Sequence, residues 1–335
     1  MATIREVAEL AGVSIASVSR IINLDPDYRV TLETRERVLN AVAQLGYQPK
    51  ANYRKRRAGS KISIGCISRK TVEYTTDSYY AKILSGAQSF LKRQNCDIDF
   101  VLSQFDIMNE ELLSDLLAHP PKGLILMDHP DDNTMEFISS KIKYIVGVDS
   151  GHPTIDNVCY DRYATGCLAM KYLIDKGHTD IAYIGAHISE NHTNIGRCEA
   201  YLRMMRQAGL DIDPDWIVDS KWHRGVCYEK TIELMSRKKR PTALFVGSDY
   251  MAIAAMSALH SIGVSIPDEI SVIGISDIDD SRYLTPPLTT VSVPQVEIGE
   301  IAADMLLRRI RGDRSLPKRI IVPTKIVERN SVRQI

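Results

Sequence analysis

Residues 3–23, TIREVAELAGVSIASVSRIIN, carry two short helical patterns on either side of Gly12. In both halves apolar residues recur at three- and four-residue intervals, as on one face of a helix. Thr3 and Glu6 fit a capping box at the start of the first helix, and Ser14 can cap the second. Glycine tolerates the left-handed backbone of a tight corner. The pattern predicts a helix-turn-helix, which places its second helix in the DNA major groove, or an ordinary αα-hairpin.

Charge is distributed unevenly along the 335 residues, although the net charge is zero. Residues 1–61 contain eleven lysines and arginines against six aspartates and glutamates, a net charge of +5. The remaining residues, 31 basic against 36 acidic, carry −5. Because a basic surface attracts a polyanion, this distribution favours nucleic acid at the N-terminal end and a small ligand in the body. A solvated charge run would not explain why the basic excess coincides with the helix-turn-helix.

Size and composition set the broad class of the protein. A chain of this length can hold two or more domains. No apolar run approaches the roughly 18 residues needed to span a bilayer. No basic-then-apolar leader opens the chain, so we expect a cytoplasmic protein without membrane contact. The six cysteines are scattered without a CxxC pair, which is typical of reduced, buried residues and not of disulfides or metal ligands.

Two further segments precede the body of the chain. Thr31 and Gly46 bound a third helical pattern, so residues 1–49 fit a three-helix head. Residues 50–61, KANYRKRRAGSK, contain six basic side chains. Such a segment has no apolar face to bury, so it is either a disordered linker or a helix that orders against phosphate.

From residue 62 onward, short β-rich runs alternate with helical stretches such as residues 109–119. This alternation predicts parallel sheets with helices on both faces. We therefore expect an α/β fold with two doubly wound, Rossmann-like subdomains behind an all-α head. Ligands of such folds bind beyond the carboxyl ends of the strands, here between the subdomains. The expected segments are a head at 1–49, a hinge at 50–61, a first subdomain at 62–160 and 292–320, and a second at 161–291 and 321–335.

Six motifs extend over essentially the whole chain. They are TIREVAELAGVSIASVSRIIN, LGYQP, YLIDKGHTDIAYIGA, TALFVGSDYMAIAAM, IPDEISVIGISDIDDSRYLTPPLTTV and VPTKIVERNS. In this order they resemble the lac repressor/galactose repressor (LacI/GalR) family of bacterial transcription regulators. The resemblance implies a hinge helix, a core of the periplasmic-binding-protein type, and a homodimer on near-palindromic double-stranded operator DNA. The DSYYAKILSGAQ helix is most similar to the branch with the evolved β-galactosidase repressor and streptococcal galactose repressors.

The resemblance implies which head residues contact DNA. Ile15 and Ala16 open the second helix, at positions that face base edges in this family, and their methyl groups can contact thymine. Ser17 is a third candidate, and Arg20 can bind guanine or hold a phosphate. Expected phosphate contacts are Thr3, Ser14, Ser19, Asn23 and Tyr47. For Ser17 and Ser19, simple solvent exposure is the alternative.

The hinge departs from the family pattern. Lys50 stands where the family usually has Asn, and Tyr53 where it usually has Ala; Arg56 replaces a leucine that wedges between central base pairs. Arginine is a poor apolar wedge but binds well in a narrow, electronegative minor groove. We hypothesise that Tyr53, Arg54, Arg56 and Arg57 bind the operator centre electrostatically with less kinking, the alternative being a basic linker without fixed structure. An operator bend as large as leucine-bearing relatives produce would contradict the hypothesis.

The resemblance also implies an effector site in the crevice. Tyr79 and Tyr80 begin the first core helix, and we expect only one of them to face the ligand. Arg197 matches the family arginine that forks onto vicinal hydroxyls of a sugar, and Asp249 matches a hydroxyl acceptor. Ser276 stands where many sugar-responsive members have Asp, which suggests a different or larger sugar. The remaining candidates are Asp149, Trp222, Ser248 and Asp277.

Catalytic and metal chemistry find no support in the sequence. There is no nucleophile elbow, P-loop or GxGxxG, so we expect neither an enzyme nor a cofactor. Asp277, Asp279 and Asp280 lack the His or Cys set typical of a metal site. Asp161 is expected to cap its helix, and His178 to be structural.

The resulting interpretation is a DNA-binding repressor of a sugar-utilisation operon, released by a sugar effector, with galactose or a galactoside as the candidate. One alternative is a sugar-binding protein without DNA function, which the basic head argues against. The sign of the response is open, because purine-type relatives use a ligand to strengthen DNA binding. No heptad tail follows VPTKIVERNS, so a dimer is expected in preference to a tetramer.

Overall fold

The computed structural model describes residues 3–22, 31–45, 62–68, 78–103, 120–128, 131–186 and 195–335. The chain forms two compact units, Met1–Lys55 and Arg56–Ile335.

The N-terminal unit contains three helices, α1 (Ile4–Ala11), α2 (Ile15–Ile22) and α3 (Leu32–Leu45). The predicted capping box is confirmed: the Glu6 amide donates to the Thr3 hydroxyl at 3.3 Å, and the Thr3 amide donates to the Glu6 carboxylate at 2.6 Å. Gly12 ends α1 with φ 65°, the left-handed conformation expected at the corner. The helix-turn-helix prediction is therefore confirmed in its local geometry.

Caps and a small core hold the other two helices. The Ser17 amide donates to Oγ of Ser14 at 3.0 Å, as predicted for the start of α2. The Thr34 amide donates to the Thr31 hydroxyl at 3.3 Å at the start of α3. The buried side chains between the helices are Val7, Ala8, Ala11, Val18, Ile21, Val38 and Ala41. Gly46, predicted to end α3, lies outside the described residues.

The second unit alternates strands and helices. Its strands are β1 (Ser63–Ser68), β2 (Asp97–Ser103), β3 (Gly123–Met127), β4 (Tyr144–Val148), β5 (Asp156–Tyr160), β6 (Ile181–Gly185), β7 (Ile217–Asp219), β8 (Ala243–Val246), β9 (Ser271–Ser276), β10 (Thr289–Ser292), β11 (Arg319–Val322) and β12 (Lys325–Val327). Its helices are α4 (Ser78–Arg93), α5 (Asp132–Lys141), α6 (Arg162–Asp175), α7 (Ile195–Gln207), α8 (Arg224–Met235), α9 (Asp249–Ser261) and α10 (Gln295–Ile310).

Within the described residues the strands form two six-stranded sheets. The first has the order β11-β5-β4-β3-β1-β2 and is parallel throughout. The second has the order β12-β10-β9-β8-β6-β7, and only β12 is antiparallel to its neighbour. The predicted α/β class with two doubly wound subdomains is therefore confirmed. The first-sheet subdomain and the second-sheet subdomain are named below by these sheets.

The sequence patterns missed two helices and misplaced two boundaries. Neither α5 nor α10 was predicted, and the helix expected over residues 109–119 lies outside the described residues. The expected boundaries after residues 291 and 320 fall inside β10 and β11. The strand pairing decides these ends, and pairing is a long-range property that local patterns do not encode.

Helices α4 and α10 pack at close range in the first-sheet subdomain. A Cβ added at Gly299 would meet the backbone of Ile83, and one at Gly86 would meet the backbone of Val296. The absence of side chains at these two glycines allows the close approach. Across the described part of the chain, no helix is long and apolar enough to cross a membrane.

Candidate functional site

The carboxyl ends of the first-sheet strands carry a group of buried polar residues. Asp128 follows β3 and Asp149 follows β4, both with left-handed backbones of φ 67° and 54°. Both side chains are buried, and Tyr160 at the end of β5 is 3% exposed. Left-handed backbone is uncommon for residues with side chains and clusters at functional sites. The strand ends therefore mark the region of the candidate site.

Asp149 is the central carboxylate of this region. The Tyr79 hydroxyl donates to Oδ2 of Asp149 at 2.8 Å, while Oδ1 has no hydrogen-bond partner. Nη2 of Arg162 donates to the Asp149 main-chain carbonyl at 3.4 Å. Burial raises the pKa of the Asp149 carboxyl, although the positive charge of Arg162 and the Tyr79 hydroxyl oppose that rise.

Arg197 on α7 approaches the same region from the second-sheet subdomain. Its side chain is buried and its guanidinium lies 5.7 Å from the Tyr160 ring centre and 5.1 Å from the Trp222 ring centre. Nη2 donates to the Tyr160 hydroxyl, while Nε has no partner. Trp222, at φ 55°, has an indole Nε1 that is buried and unpartnered as well. The Arg197 guanidinium therefore contacts Tyr160 of the first-sheet subdomain and Trp222 of the second-sheet subdomain.

Buried polar atoms without a hydrogen bond concentrate at these strand ends. Among the described residues six buried side-chain nitrogen or oxygen atoms lack a partner, and five of them lie at the end of a strand, in the connection after it or in the first turn of the next helix. Those five are Ser68 Oγ, Ser78 Oγ, Asp149 Oδ1, Arg197 Nε and Trp222 Nε1. A buried unsatisfied polar group costs about 1–3 kcal/mol, so proteins seldom keep such groups without a function. The cluster is typical of a site for a polar ligand.

Side-chain contacts cross between the two subdomains. Besides Arg197 to Tyr160 and Arg162 to the Asp149 carbonyl, Nζ of Lys82 on α4 lies 2.8 Å from the Asp279 carboxylate, which follows β9. The site is therefore built by both subdomains, and their relative position determines its shape.

The two predicted tyrosines differ in exposure. Tyr79 is 7% exposed, and its hydroxyl already donates to Asp149. Tyr80 is half-buried, and its ring lies edge-on to that of Tyr79 with centres 5.0 Å apart. Tyr80 is thus the one of the pair with accessible ring surface.

Asp249 does not join the cluster. It is fully buried, and its oxygens accept from the Ser281 hydroxyl at 2.6 Å, the Thr290 hydroxyl at 2.6 Å and the Ile278 amide at 3.2 Å. Burial raises its pKa to about 6. The hydroxyl-acceptor role of Asp249 stays a prediction; in this structure the buried carboxylate takes three hydrogen bonds from the chain itself.

Three other predicted effector residues also have structural partners. Ser248 caps α9 by accepting from the Met251 amide at 3.2 Å. The Ser276 carbonyl accepts from the Gln295 side chain, and Asp277 pairs with Arg329 at 2.5 Å. Of the nine predicted effector residues, the structure therefore groups Asp149, Arg197 and Trp222 with Tyr79 and Tyr80.

Sequence reasoning missed five residues of the region: Ser68, Ser78, Asp128, Tyr160 and Arg162. A signal was present, because each of them ends a strand or lies soon after one in an α/β chain. Nothing in the sequence indicated which of the many strand-end residues would be buried together.

The residues predicted to be structural behave as expected. Asp161 caps α6 by accepting from the Ala164 amide at 2.9 Å. His178 is 1% exposed and forms hydrogen bonds with the Thr242 hydroxyl and the Arg333 carbonyl.

Among the described residues, no group of His, Cys, Asp and Glu could hold a metal ion. The six cysteines are free thiols.

Helix α2 exposes the side chains predicted to contact bases. Ile15 is 43% exposed, and Ala16 and Arg20 are exposed. Ser17 and Ser19 are half-buried, and the hydroxyls of Thr3 and Ser14 serve as caps. The other predicted contacts lie outside the described residues; they are Asn23, Tyr47, Tyr53, Arg54, Arg56 and Arg57.

Comparison with known proteins adds an independent finding. Residues 3–50 match the family described as "Bacterial regulatory proteins, lacI family", and residues 170–332 match a "Periplasmic binding protein-like domain". The chain is 32% identical over 338 residues to the HTH-type transcriptional repressor PurR of Serratia proteamaculans, covering 99% of this chain and 97% of that protein.

Solved structures agree with the sequence comparison. A transcriptional regulator CelR–cellobiose complex superposes with a TM-score of 0.72 and 26% identity, covering 99% of this chain and 100% of that one. A lac repressor dimer bound to operator and the anti-inducer ONPF has a TM-score of 0.69 at 24% identity, covering 99% of both chains. At that identity the second similarity shows the fold alone.

Proposed function

Because this chain belongs to the lacI family of bacterial regulatory proteins and is a DNA-binding transcriptional repressor with a ligand-binding core, we propose that a small neutral sugar releases it from its operator. Galactose and galactosides are the first candidates, and a sugar-utilisation operon is the expected target. Regulators of this family are not enzymes. The CelR–cellobiose complex, a structural relative at 26% identity that holds a sugar, supports the sugar class.

The unpartnered polar cluster carries this proposal. It combines an acceptor, Asp149 Oδ1, with the donors Arg197 Nε and Trp222 Nε1. Sugar hydroxyls donate and accept at once, so one polyhydroxyl ligand can satisfy both kinds of atom. The charges around Asp149 are balanced, since Asp128 and Asp149 face Arg162 and Arg197. A balanced site favours a neutral ligand over a phosphorylated one.

The proposed response uses the contacts between the subdomains. An effector that bonds Asp149 in one subdomain and Arg197 in the other stabilises one relative position of the two, and so shifts a two-state equilibrium. Repressors of this family bind operator DNA and act as dimers. We propose a cytoplasmic homodimer in which this shift changes the spacing of the heads on a near-palindromic operator.

At the DNA end, the exposed side chains of α2 support the proposed base contacts. The methyl groups of Ile15 and Ala16 suit thymine, and Arg20 suits guanine or a phosphate. The proposed hinge contacts of Tyr53, Arg54, Arg56 and Arg57 rest on the sequence alone.

The rival proposal is that the effector strengthens operator binding instead of weakening it. In purine-type members of the family the ligand strengthens DNA binding, so a purine base as co-repressor belongs in the same ligand panel. The two proposals differ in a measurable quantity, because an inducer lowers the fraction of bound operator and a co-repressor raises it.

A gel-shift assay tests operator binding and, in the same experiment, whether the effector weakens or strengthens it. The full-length protein is mixed with its operator and excess random DNA, with galactose, lactose, a plant oligosaccharide or hypoxanthine added in turn. The proposal expects release by a sugar and loss of that release in Asp149→Asn with DNA binding retained. Asp175→Asn removes an exposed carboxylate paired with Lys171 and is the matched control, expected to respond normally. Tighter binding with hypoxanthine would overturn the sugar proposal.

Coupling between the sites must be reciprocal. If effector weakens operator binding by some factor, operator must weaken effector binding by the same factor. Calorimetric titration of the releasing sugar with and without operator measures this factor. Equal sugar affinity in both titrations would contradict the proposed mechanism.

A further inference from the structure

Tyr79 is placed to control one carboxylate. Tyr79 is the second residue of α4. Its side chain is 7% exposed and lies in the larger hydrophobic core of the second unit, so packing holds the ring in place. Its hydroxyl reaches Asp149 across 70 residues of sequence and donates to Oδ2 at 2.8 Å. A hydrogen bond to a buried carboxylate is of the stronger, charge-assisted kind and fixes the rotation of the carboxylate plane.

We propose that Tyr79 is a positioning residue of the effector site: it holds Oδ2 of Asp149 and so directs the unpartnered oxygen, Oδ1, to the effector. The inference rests on the proposed function, because it assigns Asp149 to the effector. It gives Tyr79 an indirect role, since a phenol that donates to Asp149 from inside the core acts through the carboxylate and not by stacking on the ligand.

The consequence is a specificity rule. A carboxylate with both oxygens free can turn either of them toward a ligand, whereas the bond from Tyr79 holds the plane of the Asp149 carboxylate and directs Oδ1 to the ligand. Arg197 is held in a similar way by the bond from Nη2 to the Tyr160 hydroxyl, and its buried Nε has no partner. The site therefore favours an effector that donates a hydroxyl to Oδ1 of Asp149 and presents an acceptor to Nε of Arg197.

Removing the Tyr79 hydroxyl should also raise the pKa of Asp149. The groups that face this carboxylate are Tyr79 from α4, Asp128 after β3, Arg162 from α6 and Arg197 from α7. The hydroxyl and the two arginines favour the ionised form, whereas burial and Asp128 favour the neutral form. In Tyr79→Phe the pKa of Asp149 rises further, so the ionised acceptor is lost at a higher pH.

A ligand-free titration tests this directly. Full-length protein labelled with 13C at the aspartate carboxyl carbons is titrated by NMR, and the Asp149 signal is identified by its loss in Asp149→Asn. Tyr79→Phe keeps the ring, and the expected result is a midpoint for Asp149 raised by about one pH unit. Tyr201→Phe removes another buried phenol that donates to the Ile181 carbonyl at 2.9 Å, and it should leave the midpoint unchanged. An unchanged midpoint in Tyr79→Phe overturns the inference.

Binding measurements extend the test to the effector. Calorimetry with lactose and galactose should show about a tenfold loss of affinity in Tyr79→Phe at pH 7, a larger loss at pH 5.5, and wild-type affinity in Tyr201→Phe. Sugar binding unaffected by Tyr79→Phe overturns the positioning role and leaves the proposed function standing. Failure of every panel ligand to bind the wild-type protein overturns the proposed function, and the NMR midpoint then decides the inference by itself.

Discussion

The Thr290 hydroxyl on β10 donates to Oδ1 of Asp249 at 2.6 Å, at the start of α9. The other carboxylate oxygen accepts from Ser281 and Ile278 in the segment that follows β9. One buried carboxylate thus ties a helix, a strand and a loop of the second-sheet subdomain. The same loop carries Asp279, the partner of Lys82 across the cleft.

Replacing Asp249 should change the pH dependence of stability. Its folded-state pKa, about 6, lies above the ordinary value of 3.8. Between these values the folded state holds a proton that the unfolded state has released, so the contribution of Asp249 to the unfolding free energy falls as pH rises from about 4 to 6. The shift corresponds to about 3 kcal/mol. In Asp249→Asn this contribution is absent.

Urea unfolding followed by tryptophan fluorescence measures this effect, because Trp216 and Trp222 both pack against the second-sheet core cluster. The stability of the wild-type protein relative to Asp249→Asn should be greatest near pH 4 and should decrease toward pH 7. Other titrating groups cancel in this difference. A difference that is constant with pH would show that Asp249 is ionised with an ordinary pKa.

Gly299→Ala should destabilise the first-sheet subdomain. The new Cβ would meet the backbone of Ile83 on α4, which cannot move aside as a flexible side chain can. We expect a loss of about 1–3 kcal/mol in the unfolding free energy, measured by circular dichroism in urea. Gly225→Ala in α8 is the matched control: its nearest neighbour is the His223 side chain, so alanine should be neutral or slightly stabilising.

Arg309→Ala should lower the unfolding free energy more than Arg308→Ala, the same change at the neighbouring residue. Arg309 pairs with Asp156 through two hydrogen bonds of 2.6 and 2.8 Å, and Asp156 is 4% exposed. Although burial favours the neutral form, this pairing holds the pKa of Asp156 below its ordinary value. Leaving that buried carboxylate without its guanidinium partner, with the Lys318 amide as the remaining donor, should lower the unfolding free energy by about 3 kcal/mol.

Arg308→Ala provides the contrast for this pair. Arg308 is 67% exposed and bridges Asp304 one helical turn away, so its removal should change the unfolding free energy by less than about 0.5 kcal/mol. Equal losses for Arg308→Ala and Arg309→Ala in the same thermal or urea unfolding assay would contradict the role given to the buried pair.

At the DNA end, Arg20→Ala should abolish discrimination between operator and random DNA. Arg20 is exposed on α2, beyond Ile15 and Ala16. Arg57→Ala in the basic segment should instead weaken binding to all sequences alike and reduce the salt dependence, because a phosphate contact releases counterions without reading sequence. Fluorescence anisotropy with both DNAs at several salt concentrations separates the two. Parallel losses on operator and random DNA for both variants would count against the division.

Interactions between residues close in sequence were sufficient to predict much of the fold. The capping box of Thr3 and Glu6, the corner at Gly12 and the cap at Ser14 follow from side chains that act within four residues, and all three are present. The α/β alternation likewise follows from local apolar patterning. The unpredicted α10 shows the limit of local signals, because the close approach of Gly86 and Gly299 joins residues more than 200 positions apart.

The sequence by itself determined the helix-turn-helix, the α/β class and the family resemblance, because helical period, caps and strand alternation depend on neighbouring residues. Only the tertiary structure decided which carboxylate belongs to the candidate site. Asp149 and Asp249 both lie at the carboxyl end of a buried strand. Asp249 accepts from Ser281, Thr290 and Ile278 through both oxygens, whereas Asp149 receives one side-chain bond from Tyr79 and keeps Oδ1 unpartnered. The donors that make this difference come from distant parts of the chain, so only folding brings them to one carboxylate and not to the other.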